Sequence, residues 1–228
     1  MPDLLAIEHS DLGEKVYRLI RQQILQRAFQ AGEKLDIYQL AEQLGVSRTP
    51  VKDAVNRLAL EHLVEIVPRR GTFVTKYGRK DIEELFDARL MAELWAAHKA
   101  IKRVTEEEIE MLRRIVHEGA AILKKAGPQF DYESFSNLNA RFHRLMLEFS
   151  GSGKLVEIYD SLHTHVQVTR AMTQRALDAC RLAQVEHEQI VKAYEERDLK
   201  ALKAAITSHL TSTLADSLKV VEQRGGAL

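Results

Sequence analysis

Residues 36 to 58 read DIYQLAEQLGVSRTPVKDAVNRL, and this stretch decides the fold of the N-terminal part. Asp36 is a candidate N-cap for a short helix, because its carboxylate can accept hydrogen bonds from amides of the first turn. Gly45 supplies a turn, since glycine takes left-handed dihedrals without the steric cost of a Cβ atom. Ser47 is placed to cap a second helix, whose first turn accommodates Pro50. The pattern predicts two helices joined by a tight turn, a helix-turn-helix.

The second of these helices carries its polar side chains on the face opposite its apolar residues. The residues of this segment that we predict to contact DNA are Ser47, Arg48, Thr49, Pro50, Lys52 and Asn56. In a helix-turn-helix, the N-terminal turn of the second helix enters the major groove, where an arginine can bind guanine through two hydrogen bonds. Taken alone, the stretch also fits an ordinary pair of helices joined by a glycine.

A basic loop between two short β-strands follows. Residues 63–67 and 72–75 have the composition of strands, and Pro68-Arg69-Arg70-Gly71 joins them. Such a hairpin is a wing, whose tip can reach phosphate groups or the minor groove. The wing residues that we predict to contact DNA are Arg69, Arg70, Gly71 and Thr72. A solvated loop would explain the tip alone, but the order of helix, helix-turn-helix and hairpin favours DNA binding.

Positive charge is concentrated in this region. The 228-residue chain has 33 Lys and Arg against 33 Asp and Glu, so its formal net charge is zero. Between Val46 and Lys76, six Lys or Arg residues stand against three Asp or Glu residues. A local excess of this kind is expected of a protein that contacts phosphate with one face. The single cysteine, Cys180, excludes an internal disulfide framework. With no signal peptide or membrane span in the pattern, we expect a cytoplasmic protein.

From residue 81 onward the pattern is helical. Six helices are predicted, with approximate limits 81–103, 105–127, 131–151, 152–172, 176–196 and 198–223. Short connections between them predict a compact antiparallel bundle. The predicted fold is therefore mainly α: a winged helix-turn-helix of three helices and a small β-hairpin in residues 1–76, a linker at 77–80, and an antiparallel six-helix bundle in residues 81–228.

Polar residues on apolar stripes of this bundle are candidates for a ligand site. His143 follows Asn139 by one helical turn, and His187 and His209 fall on apolar stripes of two later helices. Three imidazoles and an amide oxygen could ligate a transition metal, most simply zinc. The alternative is that each histidine is a half-buried residue with one hydrogen-bonded nitrogen. Asn139 weakens the metal interpretation, because a neutral amide is a poorer ligand than a carboxylate.

Three further residues are candidates for contacts to a small molecule. The helical spacing of Arg89 directs it into the bundle, where a guanidinium needs an anionic partner. That partner is either the carboxylate of a ligand or Glu93, one turn further along the same helix. His165 follows an apolar stripe of the fourth predicted helix, and Arg170 is a weaker candidate on the same helix.

The run EKVYRLIRQQIL, continued by AGEKLDIYQLAEQLGVSRTPVKDAVNRLALEHLVEIVPRRGTFV, resembles the winged-helix domain of GntR-type bacterial transcription regulators. The helical remainder resembles the effector domain of the FadR branch of that family, often called the FCD domain. The resemblance implies a dimeric repressor, sometimes an activator, that binds a palindromic double-stranded operator and responds to a small carboxylate metabolite. Residues 81–228 would then bind the effector and form the homodimer.

The same resemblance implies a metal site. Many members hold a metal through an acidic residue and a histidine one turn apart, together with two histidines on later helices. The matching positions are Asn139, His143, His187 and His209. The resemblance implies a divalent transition metal, zinc first, with nickel or manganese as alternatives.

The chain departs from the family pattern at a few positions. Asn139 stands where an aspartate is frequent, Ala31 replaces a usual proline, and Tyr38 stands where some relatives have a DNA-contacting arginine. Two other functions fit the pattern less well: a metal-dependent enzyme with an accessory DNA-binding domain, and a metal-free regulator of an apolar ligand. No glutamate of the HExxH type accompanies the histidines, so we expect no enzyme.

Overall fold

The computed structural model describes residues 12–26, 28–126, 130–162 and 176–227. The chain divides into two units between Lys76 and Tyr77. The first unit contains α1 (Leu12–Leu25), β1 (Lys34–Leu35), α2 (Ile37–Leu44), α3 (Arg48–Leu60), β2 (Val64–Val67) and β3 (Gly71–Val74). The second contains α4 (Arg79–Ala100), α5 (Glu106–Lys124), α6 (Tyr132–Glu148), α7 (153–162), α8 (Leu177–Glu195) and α9 (Leu199–Gln223). The predicted fold class, a winged helix-turn-helix followed by a helical bundle, is confirmed.

Local side-chain and backbone geometry sets the limits of α2. Asp36 Oδ1 accepts hydrogen bonds from the amides of Tyr38 and Gln39, at 2.8 and 3.2 Å. Gly45 ends the helix with φ 63° and ψ 33°, the left-handed conformation that glycine adopts most readily. Both predicted caps are thereby confirmed. Ser47 does occupy the N-cap position of α3, but its side chain makes no capping hydrogen bond.

We expect Gly45→Ala to lower the free energy of unfolding by about 1–2 kcal/mol, because an L-residue in the left-handed region brings Cβ close to its own backbone. No other heavy atom lies within 4 Å of the position that Cβ would take, so the cost comes from the backbone alone. Denaturant unfolding of the full chain measures it. Gly153→Ala is the control, since its Cβ would also meet nothing within 4 Å and its φ is not positive. Equal stability of the two variants would contradict the prediction.

The wing is part of a three-stranded antiparallel sheet with the order β1-β3-β2. In the hairpin, Val67 pairs with Gly71 and Val64 pairs with Val74. The sequence predicted these two strands but not β1, in which Lys34 pairs with Phe73. A Cβ atom on Gly71 would lie 2.8 Å from Cε of Lys34, so the glycine allows the lysine side chain of β1 to lie close to β3.

The helices of the second unit begin close to their predicted positions. Thr105 and Glu108 form the predicted capping box, with the Glu108 amide donating to Oγ1 of Thr105 and the Thr105 amide donating to Glu108. The start of α4 was predicted at Asp81, which is two residues too late. Gly78 is its N-cap, and Asp81 Oδ2 accepts the Gly78 amide hydrogen bond at 2.8 Å from inside the first turn. The predicted linker at 77–80 is therefore shortened by the first two residues of the helix.

Contacts along the helices fix their directions. Glu93 of α4 contacts His143 of α6, and Arg103, just after α4, donates to the carbonyl of Ser150, just after α6, so α4 and α6 run in the same direction. Arg79 at the start of α4 pairs with Glu222 at the end of α9, so these two helices run in opposite directions. No helix in the described part of the chain has the length and apolar character needed to cross a bilayer.

Candidate metal centre and nucleic-acid interface

The outer face of α3 carries most of the residues predicted to read DNA. Ser47, Arg48, Thr49, Lys52 and Asn56 are exposed, and Pro50 is half-buried. The inner face holds Val51, Ala54, Val55 and Leu58 in the core of the unit. The guanidinium carbon of Arg48 lies 5.0 Å from the centroid of the Tyr38 ring, within range of a cation–π interaction. The aromatic ring that replaces the arginine of some relatives therefore lies beside the predicted base-reading residue.

The tip of the wing presents two of the predicted arginines. Arg69 and Arg70 are exposed, and Arg69 adopts a positive φ of 62° at the turn. Gly71 begins β3 and is partly buried. Thr72 departs from the prediction, because β3 is the central strand and the Thr72 side chain is only 5 % exposed. Its side chain is consequently not part of the exposed basic surface formed by α3 and the wing.

Three histidines meet in the interior of the helical unit. His143 of α6, His187 of α8 and His209 of α9 are all buried, and one ligand nitrogen from each lies within 4.8 Å of the other two. The Nε2 atoms of His143 and His209 are 3.1 Å apart. The sequence therefore predicted correctly that residues 44 and 22 positions apart converge on one point.

Two buried carboxylates contact the Nδ1 atoms of two histidines in this cluster. Nδ1 of His143 lies 2.8 Å from Oε2 of Glu93, and Nδ1 of His209 lies 2.8 Å from Oε2 of Glu186. Both glutamates are buried, at 0 % and 6 % exposure. The hydroxyl of Ser212 donates to the other oxygen of Glu186 at 2.6 Å. An ionised carboxylate only accepts hydrogen bonds, so Nδ1 of each of these two imidazoles is the donor.

The donor set fits a divalent transition metal. With a proton on Nδ1, a neutral imidazole carries a lone pair on Nε2, and two such lone pairs 3.1 Å apart repel unless a cation or a proton lies between them. Two nitrogens bound to one zinc ion at about 2.0–2.1 Å with a tetrahedral angle are about 3.3 Å apart. Imidazole is also a preferred ligand of zinc, nickel and copper. The residues present could therefore hold such an ion.

His187 and Asn139 complete the predicted ligand set. The His187 ring stacks on Phe142, with ring centroids 4.3 Å apart and an interplanar angle of 24°, so packing orients this third imidazole. Asn139 is buried on α6, one turn before His143. Its role as a ligand stays a prediction.

Arg89 forms the internal ion pair that the sequence left as one of two alternatives. Its Nη2 and Nε atoms lie 2.9 and 3.2 Å from Oε1 of Glu93, and both side chains are 0 % exposed. The hydroxyl of Tyr159 donates to the same oxygen at 3.3 Å. Burial disfavours the guanidinium charge, but Tyr159 and Glu93 outweigh burial and raise the pKa of Arg89 above its usual range. The guanidinium therefore remains charged inside the bundle.

Arg89 itself has a buried nitrogen without a hydrogen-bond partner. Among the described residues, Arg89 Nη1, Thr213 Oγ1 and Tyr194 Oη are buried and lack a partner. Burial first, and then the charge of Glu93, raise the pKa of Tyr194, which keeps the phenol protonated. Because buried polar groups are nearly always hydrogen-bonded, these atoms are candidates for contact with a bound molecule.

The directions of the helices place Arg89 and Thr213, which carry two of these atoms, on the same side of the histidine cluster as Asn139. Arg89 is four residues before Glu93, Asn139 is four before His143, and Thr213 is four after His209. Since α4 and α6 run in the same direction and α9 runs in the opposite direction, all three residues lie on the same side of the histidine cluster, one helical turn from Glu93, His143 and His209 respectively. We call this set of Arg89, Asn139 and Thr213 the polar layer. His165 and Arg170, the other predicted effector contacts, lie outside the described residues.

Comparison with known proteins agrees with this architecture. Residues 12–74 match the bacterial regulatory proteins of the gntR family, and residues 84–212 match the FCD domain. The transcriptional repressor RspR of Escherichia coli K12 is 24 % identical over 212 residues, which span 93 % of this chain and 91 % of RspR.

Solved structures show the same fold. Lar of Listeria monocytogenes superposes with a TM-score of 0.72 at 18 % identity, over 93 % of this chain and 99 % of Lar. The metal-free FCD domain of the regulator TM0439 superposes with a TM-score of 0.55 at 20 % identity, over 64 % of this chain and 98 % of that domain.

A winged helix-turn-helix joined to a helical domain with a buried polar site defines a class of DNA-binding transcription regulators. The chain belongs to the GntR family of bacterial regulatory proteins and carries an FCD effector domain. Its relatives are transcription regulators and not enzymes, so the metal-dependent enzyme considered from the sequence is set aside.

Proposed function

We propose that this regulator acts in the cytoplasm as a homodimeric repressor of a palindromic operator, and that a small carboxylate bound beside a divalent metal controls it. The metal is held by His143, His187 and His209, with zinc as the first choice. The carboxylate binds in the polar layer. Two copies of α3 read half-sites one helical turn apart, as dimers with this motif do.

The proposed DNA-binding role is supported by exposed positive charge. Arg48 and Lys52 on α3, and Arg69 and Arg70 on the wing, are exposed on a unit whose opposite helix faces are apolar. Arginine and lysine neutralise the charge of DNA phosphates, and arginine is the usual reader of guanine.

The assignment of a carboxylate ligand rests on two buried atoms that lack a hydrogen-bond partner, Arg89 Nη1 and Thr213 Oγ1. Leaving a buried polar group without a partner costs about 1–3 kcal/mol, and more for a charged group. A carboxylate would satisfy the guanidinium with one oxygen, and a carboxylate or hydroxyl oxygen would accept from the threonine. A purely apolar ligand would leave both atoms unsatisfied, which argues against the metal-free regulator of an apolar compound.

The three histidines would hold the metal, which when bound supplies a Lewis acid for an oxygen of the ligand. Arg89 orients the carboxylate, and Glu93 keeps the guanidinium charged and in place. Thr213 donates its hydroxyl hydrogen to the ligand. Arg89, Glu93 and Thr213 are all buried, so water is excluded from these contacts and the electrostatic interactions are stronger.

Two helices connect this site to the start of the effector domain. Arg89 lies on α4, which begins at Arg79, and His209 lies on α9, whose end returns to the same place through the Arg79–Glu222 ion pair and a bridge between Gly78 and Ala227. A ligand that moves α4 against α9 would therefore act on the segment that leads to the DNA-binding unit. Regulation requires only that the ligand bind the DNA-bound and DNA-free states with different affinity.

Selection from a pool of random duplexes tests the proposal. We expect zinc-loaded protein to enrich one palindromic sequence, and one member of a panel of mono-, di- and tricarboxylates to weaken its binding. Enrichment of no sequence would refute the DNA-reading role. Enrichment without a response to any carboxylate, with zinc present or absent, would refute the effector assignment.

A further inference from the structure

Each of two candidate metal ligands is paired with its own buried carboxylate. The Glu93 carboxylate lies 2.8 Å from Nδ1 of His143, and the Glu186 carboxylate lies 2.8 Å from Nδ1 of His209. The two pairs come from four different helices, α4 with α6 and α8 with α9. They meet at the Nε2 atoms, which are 3.1 Å apart.

The carboxylates determine which ring nitrogen can bind a metal. A neutral histidine carries its proton on one nitrogen and its lone pair on the other, and the partner of the first nitrogen selects the tautomer. A carboxylate opposite Nδ1 selects the Nδ1–H tautomer and so directs the Nε2 lone pair into the cluster. It also makes the ring a more basic ligand.

We infer that Glu93 and Glu186 are positioning residues, which lock His143 and His209 in the metal-binding tautomer and supply the negative charge that a neutral Asn139 cannot. The inference rests on the proposed metal site and adds two residues of this chain to it. A divalent cation bound to three neutral imidazoles carries its full charge, and two carboxylates one ring away offset it. Ser212 in turn holds Glu186 through a 2.6 Å hydrogen bond.

Glu186 is the better of the two for an experiment. Glu93 is also the ion-pair partner of Arg89, so its neutralisation would leave a buried guanidinium uncompensated and could unfold the domain. Glu186 pairs with His209 and with the neutral hydroxyl of Ser212, and the Arg89 ion pair does not depend on it. Glutamine at this position has nearly the same shape, and its amide can donate to Nδ1 and thereby favour the wrong tautomer.

We expect Glu186→Gln to weaken Zn²⁺ binding 10- to 100-fold, the usual effect of losing such a partner. Competition with a chromophoric chelator on the full-length protein measures the affinity. Glu188→Gln is the matched control: it makes the same charge change two residues along α8, but on an exposed side chain. We expect this control to bind Zn²⁺ like the wild type.

Nitrogen NMR of the metal-free protein gives a second readout, which a merely structural role for Glu186 would not change. The His209 ring should carry its proton on Nδ1 in the wild type and in Glu188→Gln, and on Nε2 in a measurable fraction of Glu186→Gln. Wild-type affinity together with an unchanged tautomer in Glu186→Gln would overturn the inference while leaving the three-histidine site in place. Failure of the wild type itself to bind Zn²⁺ would refute the metal site and the inference together.

Discussion

Protein in which His143 and His187 are both replaced by alanine is expected to contain no zinc after purification and to gain no thermal stability when zinc is added. The two substitutions remove imidazoles from α6 and α8 and leave one histidine of the cluster. A wild-type site that is saturated at 100 times its dissociation constant would stabilise the fold by about 2.7 kcal/mol. Elemental analysis and thermal unfolding with and without zinc measure both effects.

Stability itself must be separated from metal binding in this variant. Truncating buried side chains leaves cavities, and the stacking of His187 on Phe142 is lost as well, so the metal-free variant will be less stable than the metal-free wild type. The comparison is therefore the shift caused by zinc within each protein. His98→Ala, which removes an exposed histidine from α4, should show the wild-type shift. Zinc at one ion per chain in the double variant would remove this site from the proposed function.

Features that depend on neighbours along the chain could be predicted from the sequence. Asp36, Gly45 and the Thr105–Glu108 box act within one helical turn, and all three lie where the residue types indicated. Apolar periodicity likewise located the helices of the effector domain as far as the structure describes them, because each buries one face against its neighbours. The three histidines could be found for the same reason, since each falls on a buried stripe of a long helix.

Features that depend on distant partners could not be predicted. Strand β1 has two residues, and only its pairing with β3 makes it a strand. That same pairing places β3 in the centre of the sheet and buries Thr72, which looked from the sequence like a wing residue free to contact DNA. Gly78 replaces Asp81 as the N-cap of α4, because the Asp81 carboxylate reaches back to the Gly78 amide.

The partners of the histidines were also missed or only half recognised. The sequence alone suggests that Glu93 pairs with Arg89. The contact of its second carboxylate oxygen with His143 depends on the packing of α4 against α6, which the sequence does not show. The sequence pattern does not single out Glu186, although it lies one residue before His187 and between the buried Ala183 and Ile190. Helical periodicity places Glu186 on the buried face of α8 beside His187, and a glutamate in that position is a signal for a buried histidine partner.

Arg48 is the residue on which DNA sequence preference should depend most. It is the first residue of α3, so its side chain extends from the helix end that enters the major groove in this motif. The Tyr38 ring lies beside the guanidinium at 5.0 Å and is itself 68 % exposed. Stacking on an aromatic ring restricts the guanidinium group of Arg48 in the DNA-free protein. This lowers the entropy cost of ordering the guanidinium group on a base.

We expect Arg48→Ala to weaken binding to the selected operator by about 1–3 kcal/mol per half-site and to relax the preference for guanine at one position of each half-site. Arg48→Lys separates the two contributions, because lysine keeps the charge but cannot make the two parallel hydrogen bonds. Arg114→Ala, an exposed arginine on α5, controls for the loss of one positive charge elsewhere on the chain. Repeating the duplex selection with each variant measures affinity and preference together.

If Arg48 reads a base, the lysine variant will recover affinity for all sequences alike and none of the guanine preference. If instead the alanine variant loses affinity uniformly with its preference intact, then Arg48 contacts phosphate and another residue selects the operator.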